Sequence, residues 1–574
     1  MRPHCRPKGN RRTPTGSGRS RGTGIYEKEK AGGRWKGPYT GRRLGLPHFP
    51  QETPQEAEGV NRRELLRKEG GRGVSFGTES PWVALAYPNT YEVGMANLGF
   101  QQVFRLLNEE VGLRTERAFY EGASVFSLES GLPLRAFDVV AFSLPFEGDL
   151  TNLIAALHES GIEPLSSRRE RPLVVVGGMC AFLNPEPVAP FADLSVVGEA
   201  EAVLPEFGRK LKELWNKPKS KLLEGLSDVP GVYVPGVSGE VKRAWANLRI
   251  AEPLSPIVPA RGAFGRMVLA EVGRGCGRGC RFCAAGFVYR PVRVRPAGEL
   301  VEALEGYPTP VRRVGLMGAA VSDHPELEAI CRELVKRGWE LATSSFRADM
   351  VTPELVEALV RGKVRTLTLA PEAGTERLRK VIRKGLSEKD LLRAAHVAGA
   401  GGIKKLRLYA MIGLPTEEEE DVKALADLVR EMAGAFRSEG GTEVGLTVQP
   451  FVPKPATPFQ WAPMAGERVL KERIRLLERY LRGSGISLGR VAVRRALLQG
   501  TLSIGDRRAG MAAYYHVVER LSWREAWRKA GWDPDVLHSE KKKDESLPWD
   551  FVRHTTKRSF LWMEWKRAKK CTDD

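Results

Sequence analysis

The sequence predicts an α/β protein: an N-terminal doubly wound, Rossmann-like domain, then a partial (βα)6 barrel, then a mainly helical C-terminal region. Three observations lead there. Short apolar runs alternate with helical patterns between Trp82 and Leu214, and a second alternation begins at Met267. After Pro463 the strand patterns give way to helical ones rich in Arg and Trp.

The chain has 574 residues and 42% apolar content, enough for three folded units. No apolar run has the length of a bilayer-crossing helix, and no charged start leads into an apolar core and cleavage site. The expectation is a cytoplasmic protein with no membrane partner. Seven cysteines are too few for a disulfide scaffold, and three of them fall within eight residues, as in the metal or redox sites of a reducing compartment. The formal charge is +20, yet 13 Lys/Arg against 2 Asp/Glu lie between Met1 and Arg43. Residues 1–60 therefore read as a disordered basic extension, too poor in apolar residues to offset the entropy of folding.

The first domain is placed at residues 74–214, with strands at 83–87, 138–144, 173–176 and 194–197 and helices at 98–111, 150–160 and 200–214. Strands apolar on both faces and separated by helices indicate a parallel sheet. Residues 215–259, with several prolines and glycines, read as a linker with a small hairpin-like insert. The barrel domain occupies 260–463, with strands at 267–272, 313–316, 340–343, 366–370, 406–412 and 443–449. Between the second and third, Leu327, Ile330, Cys331, Leu334 and Val335 line one helix face. Six strand–helix units suit an incomplete parallel barrel, whose chemistry lies at the carboxyl ends of its strands. Residues 464–574 form the helical C-terminal domain.

Directly after the first barrel strand comes Glu271-Val272-Gly273-Arg274-Gly275-Cys276-Gly277-Arg278-Gly279-Cys280-Arg281-Phe282-Cys283. Three thiolates on a glycine-rich loop can wrap one metal centre, because glycine permits positive φ and close backbone approach. Structural zinc usually takes four protein ligands, and no nearby Cys or His completes a common spacing. An iron–sulfur cluster tolerates the deficit when a non-protein ligand takes the remaining iron. Zinc or reactive thiols remain the alternative.

This loop resembles the signature of the radical S-adenosylmethionine (SAM) superfamily, C-x3-C-x2-C with an aromatic before the third cysteine, the place Phe282 fills. The resemblance implies that Cys276, Cys280 and Cys283 hold a 4Fe-4S cluster, whose open iron takes the amino and carboxylate groups of SAM. Reductive cleavage then gives methionine and a 5′-deoxyadenosyl radical that abstracts hydrogen from substrate, with an electron donor such as flavodoxin or ferredoxin.

Later strand ends offer cofactor contacts by the same resemblance. Gly318 follows the second strand, in a stretch that lacks the Glu often found there. Ser345 and Arg347 follow the third, Arg347 suited to a carboxylate. Glu372 follows the fourth and can accept from an ammonium or a ribose hydroxyl. Ile412 closes the fifth, in a segment like the adenine-contacting one of the superfamily, and Thr416 is expected to cap the next helix. A charged residue at a strand end is more often solvated or structurally paired.

In the first domain, Ser143-Leu144 and Gly177-Gly178 resemble the Ser-x-Leu and Gly-Gly elements of cobalamin-binding domains. The Asp-x-His-x-x-Gly of that family is replaced by Asn89-Thr90-Tyr91-Glu92-Val93-Gly94, so the lower histidine ligand is missing. Either cobalamin binds without that ligand, or the fold persists without the cofactor; glycine pairs after buried strands also serve turning alone. Tyr91-Glu92-Val93-Gly94-Met95, the Cys180 to Pro187 stretch, Ala320-Val321-Ser322-Asp323-His324-Pro325 and Pro453-Lys454-Pro455-Ala456-Thr457-Pro458-Phe459-Gln460-Trp461 look like a bacterial family that fuses a cobalamin-type domain to a radical barrel. A more distant similarity is to the methylthiotransferases of transfer RNA and ribosomal protein.

The expected function is thus a radical SAM enzyme that methylates or otherwise modifies RNA or protein. The competing class is a non-catalytic iron–sulfur protein associated with RNA or the ribosome. Gly505-Asp506-Arg507-Arg508 with Trp523, Trp527 and Trp532 motivates it, since basic and aromatic residues together can hold RNA; an Arg loop beside core tryptophans is the plainer reading.

Overall fold

The computed structural model describes residues 62–571. The expected basic extension, residues 1–60, lies outside them.

Apolar runs at β1 (Glu79–Tyr87), β2 (Leu113–Phe119), β3 (Val139–Ser143), β4 (Leu173–Gly177) and β5 (Leu194–Val196) form a parallel sheet, which β6 (Val232–Tyr233) closes antiparallel. The order β2-β1-β3-β4-β5-β6 makes it doubly wound, with the switch between β1 and β3. The sequence pattern misses β2 because its charges are buried rather than solvated. Arg117 points inward to Glu69 and Glu129, each at 2.7 Å.

After the first sheet, β7 (Val241–Lys242) pairs not with a neighbour in sequence but with the late β17 (Val552–Arg553). The barrel opens with β8 (Val268–Glu271), followed at once by the hairpin β9 (Gly273–Arg274) and β10 (Arg293–Val294), in which Arg274 and Arg293 face each other. The parallel strands β11 (Arg313–Met317), β12 (Glu340–Thr343), β13 (Thr366–Glu372), β14 (Lys405–Ile412), β15 (Glu443–Pro450) and β16 (Ile486–Arg490) complete it. A bridge between Phe346 and Leu369 joins the two halves, β12-β11-β8 and β13-β14-β15-β16. The seventh strand, β16, falls where the sequence suggests only helices.

The strands β13, β14 and β15 alternate along most of their length, while β8 and β11 are buried in continuous runs. On β14, Leu406, Leu408 and Ala410 are buried against the helices Glu388–Ala400 and Glu419–Ser438, while Arg407 and Tyr409 on the inner face stay half-exposed. Buried apolar side chains stabilise this outer layer at about 25 cal/mol per Å². On β13 to β15 the inner-face side chains are half-exposed for most of their length rather than packed into a closed core.

The C-terminal helices serve both sheets. Val493, Ala496 and Ile504 join the barrel core, whereas Leu502, Ala513 and Tyr514 join the core on one face of the first sheet. The α/β layout expected from the sequence is the one observed, with the C-terminal region woven between its two sheets.

Candidate active site

The stretch from Gly275 to Cys283 leaves the hairpin at the carboxyl end of β8. Gly275 has φ of 89°, and a Cβ there would lie 2.4 Å from the Tyr289 carbonyl, so only glycine fits the turn. Cys276, Cys280 and Cys283 are all free thiols of intermediate exposure. The Arg278 N–H donates to Cys276 Sγ at 3.4 Å. Burial pushes the Cys283 thiol up to about 11; an N–H from Ala285 opposes this, and the neighbouring Cys280 and Cys276 add to it. Burial likewise raises Cys280, against the pull of Lys384 and Arg347. Desolvated, mutually repelling thiolates are what a cationic centre relieves.

Three arginines interleave with the cysteines, and each ties the loop to a different part of the chain. Arg274 reaches the first domain at Glu199 (2.9 Å) and Glu201 (2.8 Å). Arg278 clasps Asp323, beyond β11, through two bonds of 2.9 and 3.0 Å. Arg281 is buried, donates to the carbonyls of Lys380 and Val381, and pairs at 3.2 Å with Glu564 of the C-terminal helix Arg558–Lys570. Sequence reasoning missed all three roles, because nothing local marks an arginine whose partner is up to 283 residues away.

The predicted rim residues divide. Gly318 presses on the loop's stem, since a Cβ there would sit 3.0 Å from the Gly273 carbonyl. Phe282 packs partly buried on the barrel core. Ser345 is exposed at the end of β12. Glu372 takes φ of 68°, a strained value at a strand end, and holds Lys384 Nζ at 3.1 Å beside the cysteines. Two further rim residues are engaged by the chain itself, and the expected helix cap is corrected. Arg347 chelates Asp349 at 3.1 and 3.0 Å and donates to the Lys384 and Gly385 carbonyls, the structural pairing common for a charged residue at a strand end. Ile412 is fully buried in the core, and its carbonyl accepts from the Phe451 N–H at 2.8 Å. Thr416 has φ of 65° and accepts from Arg377, while Glu418 caps the following helix in a box with Asp421.

At the first sheet's carboxyl edge, Ser143 pairs with Gly177, the Leu144 N–H donates to the Gly177 carbonyl at 2.8 Å, and Cys180 donates back to Leu144. Gly178 has φ of 103°, and a Cβ there would meet the Leu144 carbonyl at 2.8 Å; its glycine serves the turn itself. The edge is covered from outside. Asn184 Nδ2 donates to the Ser503 and Gly505 carbonyls, Lys454 pairs with Glu147, and Arg507 grips Glu186 at 2.9 Å. The void bounded by Leu144, Glu147, Cys180, Asn184 and Leu502 holds about 10 Å³, no more than one water. Arg507 and Arg508, the pair that motivated the competing RNA reading, are engaged with Glu186 and Asp506. Among the described residues, no helix is long and apolar enough to cross a membrane.

A parallel barrel with a three-cysteine loop at the carboxyl end of its first strand, preceded by a doubly wound sheet, is the arrangement of a radical SAM protein. Comparison with known proteins agrees. Residues 270–429 match the family model of the radical SAM superfamily, and residues 99–235 match the model of radical SAM proteins, N-terminal. An uncharacterized protein of Methanocaldococcus jannaschii is 32% identical over 429 residues, covering 74% of this chain and 88% of the relative. The chain belongs to the radical SAM superfamily and is an enzyme of that class. A putative methylthiotransferase of the same organism is 24% identical over 46% of this chain and 58% of its own length. The radical SAM methyltransferase TsrM from Kitasatospora setae, solved with cobalamin and a [4Fe-4S] cluster bound, shares the fold at a TM-score of 0.50 and 14% identity, over 79% of this chain and 99% of TsrM.

Proposed function

We propose that Cys276, Cys280 and Cys283 hold a 4Fe-4S cluster with one iron open to SAM, and that the chain uses this pair to methylate or otherwise modify a carbon of RNA or protein. The observation that carries the reading is the loop itself, three free thiols on a stretch pinned by Arg274, Arg278 and Arg281. A tetrahedral zinc at about 2.3 Å from each sulfur needs its thiolates within about 4 Å of one another. The loop brings three cysteines and no fourth Cys or His to close that shell. A four-iron cluster is wider and takes one thiolate per corner, which fits the donor set.

When bound, the cluster supplies the electron that splits the sulfonium of SAM into methionine and a 5′-deoxyadenosyl radical. The chain's own residues do the rest. Gly318 lets the second strand end approach the loop, and Lys384 with Glu372 sets a paired charge beside the thiols. Arg347, fixed by Asp349, closes the turn after β12. On the inner face, Thr368, Arg407, Tyr409 and Thr447 form a polar wall, which supports a polar substrate. A one-electron donor such as flavodoxin or ferredoxin is the required partner.

TsrM carries cobalamin in its structure, and the similarity to a putative methylthiotransferase supports group transfer. In this chain a corrin does not fit the first sheet's carboxyl edge while the helices Val493–Ile504 and Arg507–Val517 cover it, so no step is assigned to cobalamin. Its uptake requires those helices to leave. The test is anaerobic incubation of the iron-loaded protein with SAM and dithionite: 5′-deoxyadenosine should accumulate, and its absence from fully loaded protein refutes the proposal.

A further inference from the structure

Glu199 follows the last parallel strand of the first sheet and stands at the N-cap position of the helix Ala200–Leu214, 4% exposed, with its side chain turned to other partners. Its carboxylate has five donors. Arg293 clasps both oxygens at 2.7 Å, Arg274 donates at 2.9 Å, Arg243 at 3.3 Å, and the Ala246 N–H at 2.9 Å. Burial pushes its pKa up, but the arginines outweigh this and hold it at about 2. Few carboxylates in the described chain are so completely enclosed by cations.

Arg274 and Arg293 are direct partners in the β9–β10 hairpin, so Glu199 grips both of its strands at one level. Arg274 is further braced by Glu201 at 2.8 Å and Glu271 at 2.8 Å. Only Gly275 separates Arg274 from Cys276, and Gly275 is wedged against the Tyr289 carbonyl. No slack lies between the carboxylate of the first domain and the first cysteine.

We propose that Glu199 is a positioning residue for the cysteine loop: through Arg274 and Arg293 the doubly wound domain fixes the hairpin from which Cys276 departs, and so sets the geometry of the metal site. This gives the first domain a role in the barrel's chemistry that needs no cofactor of its own. The inference concerns the protein's own hairpin and rests on the proposed cluster only for its spectroscopic arm.

The test uses the full chain as wild type, Glu199→Gln, Glu199→Asp, and Glu186→Gln as a control that loosens another contact between the first sheet and the C-terminal region. Glu199→Gln keeps the volume and removes the charge. Hydrogen–deuterium exchange is followed first in the metal-free protein. Residues 273–283 and 289–295 should exchange about tenfold faster or more in Glu199→Gln, with Glu199→Asp between it and wild type and the control unchanged there. After anaerobic loading, Glu199→Gln should also shift the paramagnetic resonance signal of the reduced cluster. Unchanged exchange in the hairpin, or an increase spread evenly over the chain, overturns the inference. Faster hairpin exchange in a protein whose wild type never assembles a cluster would sink the cluster reading and leave the hairpin's dependence on Glu199 standing.

Discussion

Gly510→Ala is a sharp test of how the C-terminal helices close the first sheet. Gly510 lies in the helix Arg507–Val517, where alanine ordinarily adds about 1 kcal/mol of stability over glycine. Here the added Cβ would meet the Pro187 carbonyl oxygen at 2.0 Å and its carbon at 2.9 Å. Both are backbone atoms, so no rotamer change relieves the contact. Overpacking of this kind costs about 1–3 kcal/mol, and pushing the helix away also strains the two bonds from Asn184 to the Ser503 and Gly505 carbonyls, about 1 kcal/mol each. The sum exceeds the helical gain, and the substitution should destabilise by about 2 kcal/mol. Urea unfolding followed by tryptophan fluorescence measures it, together with exchange of residues 184–188 and 503–511. Cobalamin uptake, read from visible absorbance, should be greater in the variant than in wild type, because the covered edge is loosened. A variant as stable as wild type or more so would show that the helix does not seat on Pro187.

Other outcomes follow from the same contacts. Replacing any one of Cys276, Cys280 or Cys283 by Ala should remove most of the iron and sulfide recovered after reconstitution, while Cys331→Ala, in the barrel core, should keep it. Glu564→Gln leaves the buried Arg281 without its counter-charge and should lower stability by about 3 kcal/mol in thermal melts, with weaker cluster retention. Burial, partly offset by the Asn89 amide, raises Asp149 to about 7, well above its unfolded value. The folded state therefore holds a proton that the unfolded state has lost, and stability should fall as pH rises from about 4 to about 7. Asp149→Asn should flatten that part of a stability–pH curve.

The cysteine loop is legible in the sequence because its chemistry is covalently local: three sulfurs, their glycines and Phe282 all lie within a few residues. The barrel strands are legible because β13, β14 and β15 alternate apolar and polar residues and β8 begins with a continuous apolar run. What escapes is long-range pairing. β2 hides behind Arg117, whose charge is neutralised by Glu69 and Glu129, and Ile412 looks like a rim residue only until the sheet turns its side chain into the core. Thr416 follows the capping pattern, yet the chain runs on through a left-handed turn and starts its helix later. Glu199 is unreadable as a site residue from its neighbours, since its partners Arg243, Arg274 and Arg293 come from three separate segments.

The most direct measurement is paramagnetic resonance of anaerobically loaded, dithionite-reduced protein, recorded with and without SAM alongside an iron count. The account predicts four irons per chain and a cluster signal that changes when SAM is added, because one iron lacks a protein ligand. A signal indifferent to saturating SAM, or a protein that takes up zinc in place of iron, would contradict it.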